Sequence, residues 1–142
     1  MFDEQSSISV PEPVHRTMIE HARDCYPEEA CGLLAGYPDG RLAKAYPLTN
    51  IAHSSVNYVI DPSEHFGAMR HAESNGWELV GVFHSHTHSP AYPSSTDVAL
   101  AVEPDWLYVL VGMERIDALS VRGFRIRDRR ITERTLSFDA HS

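Results

Sequence analysis

Residues 78–102 read ELVGVFHSHTHSPAYPSSTDVALAV, and this stretch decides both the fold class and the chemistry that we expect. Its first six residues, 78–83, are mostly apolar and include two β-branched valines, which predicts a buried strand. His84 and His86 follow at the end of that strand. Because side chains two residues apart share a face in extended backbone, both imidazoles can point to one position above the strand's end.

Asp97 can bring a carboxylate to the same position. The residues from Ser94 to Asp97 precede a mostly apolar segment, which is typical of a helix with Ser94 at the N-cap and Asp97 in the first turn. Three protein ligands drawn from histidine and carboxylate leave a fourth position for water, which distinguishes a catalytic zinc site from a structural one. We therefore expect His84, His86 and Asp97 to bind one Zn²⁺ that also carries a water molecule.

A hydrolase of this kind also needs a group that moves protons. Bound zinc lowers the pKa of its water to roughly 7, but a carbonyl hydrolase still requires a positioned acid or base. Residues 26–36, YPEEACGLLAG, place Glu28 and Glu29 at the start of an apolar, strand-like run. Partial burial there would raise the pKa of a glutamate toward the working range, so on chemistry alone either residue can be the base.

These residues together resemble the JAMM (MPN+) metallopeptidases. The pattern of that family is a glutamate three residues before a glycine, followed much later by HxHx7SxxD, and this chain has every residue of the pattern. The resemblance implies a cytidine-deaminase-like α/β/α sandwich with a central, largely antiparallel sheet. It also implies specific roles, with His84, His86 and Asp97 as zinc ligands, Glu29 as the general acid and base, and Ser94 as a group that helps to hold the tetrahedral oxyanion.

A closer resemblance is to the bacterial CysO-cysteine peptidases. It rests on PEEACGLLAG at 27–36, HSHTHSPAYPSSTDVALAVEPD at 84–105 and YVLVG at 108–112. The resemblance implies a partner, a ubiquitin-like sulfur-carrier protein with a C-terminal Gly-Gly tail. It implies that the enzyme hydrolyses the amide bond after that tail and so releases cysteine from the carrier–cysteine adduct during cysteine biosynthesis.

Two other functions remain open at the level of the sequence. The same ligands suit a JAMM isopeptidase that removes ubiquitin-like modifiers from lysines, since the motif does not distinguish a peptide bond from an isopeptide bond. Relatives of this fold that have lost their ligands serve as non-catalytic MPN scaffolds or binding modules. The complete ligand set in this chain favours an enzyme over such a scaffold.

Composition limits the remaining choices. The chain has 142 residues, of which 42% are hydrophobic, and this suits one globular domain spanning residues 1–142. No segment approaches the roughly 18 apolar residues that a membrane span requires. The polar start MFDEQSSISV is unlike a signal peptide, so we expect a cytoplasmic protein without a membrane partner. The net charge of −8 disfavours nucleic acid, while a homodimer is neither indicated nor excluded.

Four residues carry chemistry that the sequence does not assign to a role. Cys25 and Cys31 are too few for the disulfide framework of a secreted domain, so we expect two reduced thiols, with Cys31 buried. His88 lies outside the matched spacing, and we expect a loop residue that contacts substrate or solvent. His53 shares a polar connection with Asn50, and we expect ordinary loop polarity for both.

The remaining elements follow from periodicity and from turn residues. An amphipathic helix is predicted at 11–25, with His15 and His21 on its solvated face. Asp61 reads as the N-cap of a second helix that ends at 75–76. Strands are predicted at 31–37, 42–48, 56–60 and 106–112, followed by a terminal hairpin of 118–126 with 131–136. This order of mixed strands and helices predicts a single α/β domain.

Overall fold

The computed structural model of the protein describes residues 7–139, and in this range a central sheet is flanked by helices. The elements in chain order are β1 (Ile8–Val10), α1 (Glu12–Cys25), β2 (Cys31–Gly36), β3 (Leu42–Leu48), α2 (Pro62–Ser74), β4 (Glu78–His86), α3 (Ser95–Leu100), β5 (Leu107–Gly112), β6 (Ser120–Arg127), β7 (Arg130–Arg134) and β8 (Leu136–Phe138). Both long helices and the ligand strand β4 therefore lie where the sequence predicts them.

The main sheet has six strands in the order β3-β2-β4-β5-β6-β7. Among these neighbours only β4 and β5 run parallel, and α3 lies in the connection between them. The predicted α/β domain with a mostly antiparallel sheet is thereby confirmed. All six residues of β2 are buried, as is β4 from Val80 onward, which explains why both strands read as continuous apolar runs.

The two long helices cover opposite faces of this sheet. Helix α1 buries Val14, Met18 and Ala22 in a core that also contains Leu34 and Phe83. Helix α2 buries Ala68 and Ala72 against the other face, where Leu33 and Val82 lie. Adjacent residues of a strand point to opposite faces of the sheet. The two cores therefore lie on opposite faces, each between the sheet and one helix, as in an α/β/α sandwich.

One glycine in β2 is required by close packing. A Cβ atom on Gly32 would lie 2.2 Å from the carbonyl oxygen of Tyr46 and 2.3 Å from the ring of Phe83. The first atom belongs to the backbone of the neighbouring strand β3, which cannot move away without breaking the ladder. The sheet at this point therefore accepts only glycine.

The observed strands differ from the predicted ones in two places. No strand forms at 56–60, where the predicted strand is replaced by irregular backbone and one isolated bridge between Asn50 and Ile60. The amide of Val59 donates to the side chain of Asn50 instead of to a neighbouring strand. Strand β1, which was not predicted, pairs in parallel with β8 to form a separate two-stranded sheet.

The prediction that His21 is solvated is wrong. Its ring is half-buried, and Nε2 lies 3.1 Å from the carbonyl oxygen of Cys31 and 2.9 Å from that of Leu48. Since a carbonyl can only accept, the ring donates from Nε2 and joins α1 to β2 and β3. Cys25 and Cys31 are free thiols, as predicted, and Cys31 is buried.

Candidate active site

The end of β4 carries two of the predicted ligands on one face of the sheet. His84 and His86 are each 4% exposed, and both follow Val82 at intervals of two residues along the same strand. Ser85, which lies between them, points the other way, and its Oγ accepts a hydrogen bond of 2.8 Å from the amide of Ala30. Because side chains alternate along a strand, the two candidate ligand residues lie on one face of β4 and Ser85 lies on the other.

Helix α3 supplies the carboxylate. The hydroxyl of Ser94 accepts from the amide of Asp97 at 3.1 Å, while the carboxylate of Asp97 accepts from the amide of Ser94 at 2.9 Å. This reciprocal capping box is the structure that the predicted N-cap implied, and it holds the Asp97 side chain against the helix start. The hydroxyl of Ser94 uses a lone pair in this contact, so its proton is still available for donation.

The three side chains converge on a single position. One ligand atom from each of His84, His86 and Asp97 lies within 4.8 Å of the other two. The two carboxylate oxygens of Asp97 face different rings, with Oδ1 at 3.2 Å from Nε2 of His84 and Oδ2 at 3.0 Å from Nε2 of His86. The predicted ligand residues are thus brought together by β4 and α3.

The chemistry of these atoms fits a divalent cation. His86 places Nδ1 at 2.8 Å from the carbonyl oxygen of Pro90, and because a carbonyl accepts only, Nδ1 carries the proton. Nε2 lies 3.0 Å from Oδ2 of Asp97, and despite burial the hydrogen bond to this carboxylate raises the pKa of the ring; once deprotonated, Nε2 offers a lone pair at the same position as Asp97. Nε2 of His84 is buried without a hydrogen-bond partner, and burial lowers the pKa of this ring, which favours its neutral form. A metal ion would satisfy these buried acceptors, and the carbonyl that orients His86 is a partner typical of metal-binding histidines.

Glu29 lies beside this group and differs from Glu28 in its surroundings. Glu29 is 6% exposed, and burial raises the pKa of its carboxyl group to about 7, with the charges of His86 and Asp97 acting in opposite directions. Glu28 is partly exposed, and its carboxylate lies 3.2 Å from Nδ1 of His53. Of the two glutamates that the sequence left open, only Glu29 has the buried position that suits proton transfer near pH 7.

Glu29, His84 and Asp97 line a cleft that is partly open to solvent. Tyr58 forms one wall and stacks on His84 with ring centroids 4.5 Å apart. Burial raises the pKa of Tyr58 above its usual range, so the phenol is neutral. The lining combines polar and apolar side chains from six parts of the chain: Glu29, Val56, Asn57, Tyr58, His84, Pro93, Thr96, Asp97, Leu100, Ala101, Tyr108, Leu110 and Ile126.

Some of these placements could not be read from the sequence. Tyr58 was assigned to a strand, and Asn50 was treated as ordinary loop polarity, whereas Asn50 is 5% exposed and bonds five backbone groups around the cleft. Ser85 could have been found from its position between two ligands on the opposite face of the strand. His88 is exposed and lies outside the ligand group, as predicted.

An α/β domain that gathers two histidines, an aspartate and a buried glutamate in one cleft has the arrangement of a metal-dependent hydrolase. Residues 11–126 match the family of prokaryotic homologs of the JAB domain, and the chain belongs to this family. The predicted resemblance to JAMM peptidases is thereby confirmed.

Individual relatives agree with this membership. The chain is 43% identical over 118 residues to the CysO-cysteine peptidase of Mycobacterium tuberculosis, covering 82% of this chain and 80% of the relative. It is 35% identical over 111 residues to the desampylase of Haloferax volcanii, covering 74% of this chain and 80% of the relative. A solution structure from Desulfitobacterium hafniense, 32% identical, aligns with a TM-score of 0.85 over 93% of this chain and 92% of that chain.

The predicted class of enzyme is confirmed by these relatives, because their names are those of peptidases and of enzymes that remove protein modifiers. The chain is a peptidase of the JAMM type. Within residues 7–139, no helix has the length and apolar character needed to cross a membrane.

Proposed function

We propose that this protein is a zinc-dependent peptidase that hydrolyses the amide bond after the C-terminal Gly-Gly of a ubiquitin-like sulfur-carrier protein and releases cysteine from the carrier–cysteine adduct. The observation that carries the proposal is the convergence of His84, His86 and Asp97 beside the buried Glu29 in one cleft. We base the proposed substrate on the relative that is named a CysO-cysteine peptidase, to which the chain is 43% identical.

In the proposed mechanism His84, His86 and Asp97 hold one Zn²⁺ with a bound water. When bound, the ion polarises a carbonyl group and lowers the pKa of its water to about 7. Glu29 would accept a proton from the water that adds to the carbonyl carbon, and it would deliver that proton to the amine nitrogen as the C–N bond breaks. Its raised pKa of about 7 suits both steps near neutral pH.

Ser94 supplies a hydrogen-bond donor for the oxyanion. Its Oγ already accepts from the amide of Asp97, which fixes the oxygen while leaving the hydroxyl proton to donate. A donor aimed at developing negative charge commonly contributes about 3–4 kcal/mol to the transition state. The same contact ties the position of Ser94 to that of the ligand Asp97.

The cleft suits an extended and narrow chain segment. Its apolar lining includes Val56, Leu100, Ala101 and Ile126, which can contact a peptide backbone. None of these four side chains carries a positive charge. A Gly-Gly tail has no side chains, so its backbone can pass close to the ligand group without a steric clash.

The second candidate function is cleavage of an isopeptide bond between a ubiquitin-like modifier and a lysine. It is favoured by the relative from Haloferax volcanii that is named a desampylase. A non-catalytic scaffold is disfavoured, because a binding module gains nothing from burying Glu29 beside three converging ligand residues.

A side-by-side assay tests these alternatives. Purified protein loaded with zinc is given a carrier ending in Gly-Gly-Cys and, separately, the same carrier linked to a lysine side chain. We expect the first substrate to lose one residue by mass spectrometry and the second to be cut slowly. The reverse preference would support the isopeptidase. Failure to cleave either substrate, with no stoichiometric zinc bound, would support the scaffold.

Several predictions from the sequence accompany this proposal. We propose cytoplasmic residence, a single domain across residues 1–142 and no nucleic-acid or membrane partner, in agreement with the net charge of −8. A homodimer is one possible assembly, and sedimentation of the purified protein distinguishes it from a monomer.

A further inference from the structure

The backbone around Glu29 lies just outside the regular sheet. Strand β2 begins at Cys31, so the peptide groups on both sides of Glu29 must find partners other than a continuing strand ladder. The amide of Glu29 donates to the carbonyl of Ser54 at 2.8 Å, and the amide of Ala30 donates to Oγ of Ser85 at 2.8 Å. The carbonyl oxygen of Glu29 accepts from Nδ2 of Asn50 at 3.0 Å. Three non-ladder bonds therefore hold the residue that we propose as the acid and base.

Asn50 is the centre of this arrangement. Its Nδ2 donates to the carbonyl oxygens of Glu29 and Asn57, each at 3.0 Å. Its Oδ1 accepts from the amides of Ala52 and Val59, also at 3.0 Å each. Because carbonyls only accept and amides only donate, these partners fix the orientation of the side-chain amide. Because the Asn50 side chain both donates and accepts and is only 5% exposed, a group that can only donate or only accept cannot replace it without loss of stability.

The same bonds fix a wall of the cleft. The segment between Asn50 and Ile60 has one bridge at its ends, and the side chain of Asn50 replaces the ladder that a strand would provide. This segment carries Tyr58, which stacks on His84, and also Val56 and Asn57, which line the cleft. One side chain, that of Asn50, thus bonds both Glu29 and this wall.

We propose that Asn50 is a positioning residue that holds Glu29 in register with the cleft wall and the ligand group. The proposal rests on the proposed function only for the step that Glu29 performs. Asn50 is neither a member of the ligand group nor one of the residues that line the cleft, so it acts through its bonds to Glu29 and to the 51–59 segment. A displacement of about 1 Å in a catalytic group can lower a rate about 100-fold.

Asn50→Asp tests this, because the carboxylate has the same shape and keeps the acceptor but loses both donors. We expect kcat on the Gly-Gly-Cys carrier to fall about 100-fold, with zinc content unchanged. Asn75→Asp is the matched control. Asn75 follows α2 and also donates from its side chain to a backbone carbonyl, that of His71, but it is exposed and outside the cleft. We expect its kcat to match the wild type.

A double-mutant cycle separates positioning from a general structural effect. If Asn50 acts by placing Glu29, then Asn50→Asp in a Glu29→Gln background should lower kcat less than about threefold further. If the two losses multiply instead, the positioning role is refuted. Asn50→Ser provides a second variant if Asn50→Asp does not fold, since it introduces no buried charge but removes the side-chain amide that donates to the carbonyl of Glu29, and it should show the same non-additivity with Glu29→Gln.

Hydrogen exchange gives a reading that does not depend on cleavage. In Asn50→Asp the amide of Glu29, which donates to Ser54, should exchange at least about tenfold faster, because the donors that hold Glu29 and the segment carrying Ser54 are lost. The amide of Val59 keeps its acceptor, and it should keep its protection together with the amides in β2 and β5. If the wild type cleaves neither carrier but this exchange pattern appears, the proposed function fails and the anchoring of Glu29 by Asn50 stands. Unchanged exchange at Glu29 would refute the anchoring, whatever the enzyme cleaves.

Discussion

Glu29→Gln removes the group that we propose to move protons and leaves the three ligand residues in place. Glu29 is 6% exposed, and the neighbouring carboxylate of Glu28 is partly exposed and paired with His53 at 3.2 Å. Glu28 is therefore not in a position to take over the proton transfer. A positioned acid or base commonly contributes about 100- to 10,000-fold to a rate, and this corresponds to about 3–5 kcal/mol in the barrier.

We expect kcat of Glu29→Gln to fall within that range, with one zinc still bound per chain. The assay is steady-state release of cysteine from the carrier adduct, together with elemental analysis of the same protein. Glu28→Gln is the matched control, because it makes the same chemical change at the adjacent, partly exposed carboxylate. If Glu28→Gln were the inactive variant and Glu29→Gln kept its activity, the assignment of the base would be wrong.

Three further predictions concern metal binding and packing. His84→Ala removes one of three ligands, so we expect no stoichiometric zinc; a chelator should lower the Tm of the wild type but leave that of the variant unchanged. Gly32→Ala places a Cβ 2.2 Å from a backbone oxygen of Tyr46, and we expect a loss of at least about 3 kcal/mol in urea unfolding. Gly67→Ala in α2 meets nothing within 4 Å, and we expect a gain of about 0.5–1 kcal/mol, so a loss there would contradict our reading of the helix.

The regular elements were predicted well where a local signal was strong. The strand Leu42–Leu48 was predicted with its observed ends, and the turn at Gly40 marks its start locally. The N-cap of α2 at Asp61 was predicted because its side chain bonds Ser63, two residues away. These signals come from residues that are close together in the chain, so they can be recognised from the sequence alone.

The errors arose where distant parts of the chain supply the partner. Residues 56–60 have the composition of a strand, but the amide of Val59 bonds the side chain of Asn50, nine residues earlier. His21 lies on the polar face of the predicted first helix, yet its ring donates a hydrogen bond to the carbonyl of Leu48, 27 residues later. The pairing of β1 with β8 joins the two ends of the described chain. None of these contacts has a local signal.

The sequence by itself determined the ligand set and its local geometry. His84 and His86 share a face because strand side chains alternate, and Asp97 returns toward them because Ser94 caps a helix three residues earlier. Only the tertiary structure shows that Glu29 is buried while Glu28 is partly exposed, since burial depends on contacts across the fold and not on the order of the two residues. The same holds for Asn50, whose partners meet only after β2, β4 and the 51–59 segment have come together.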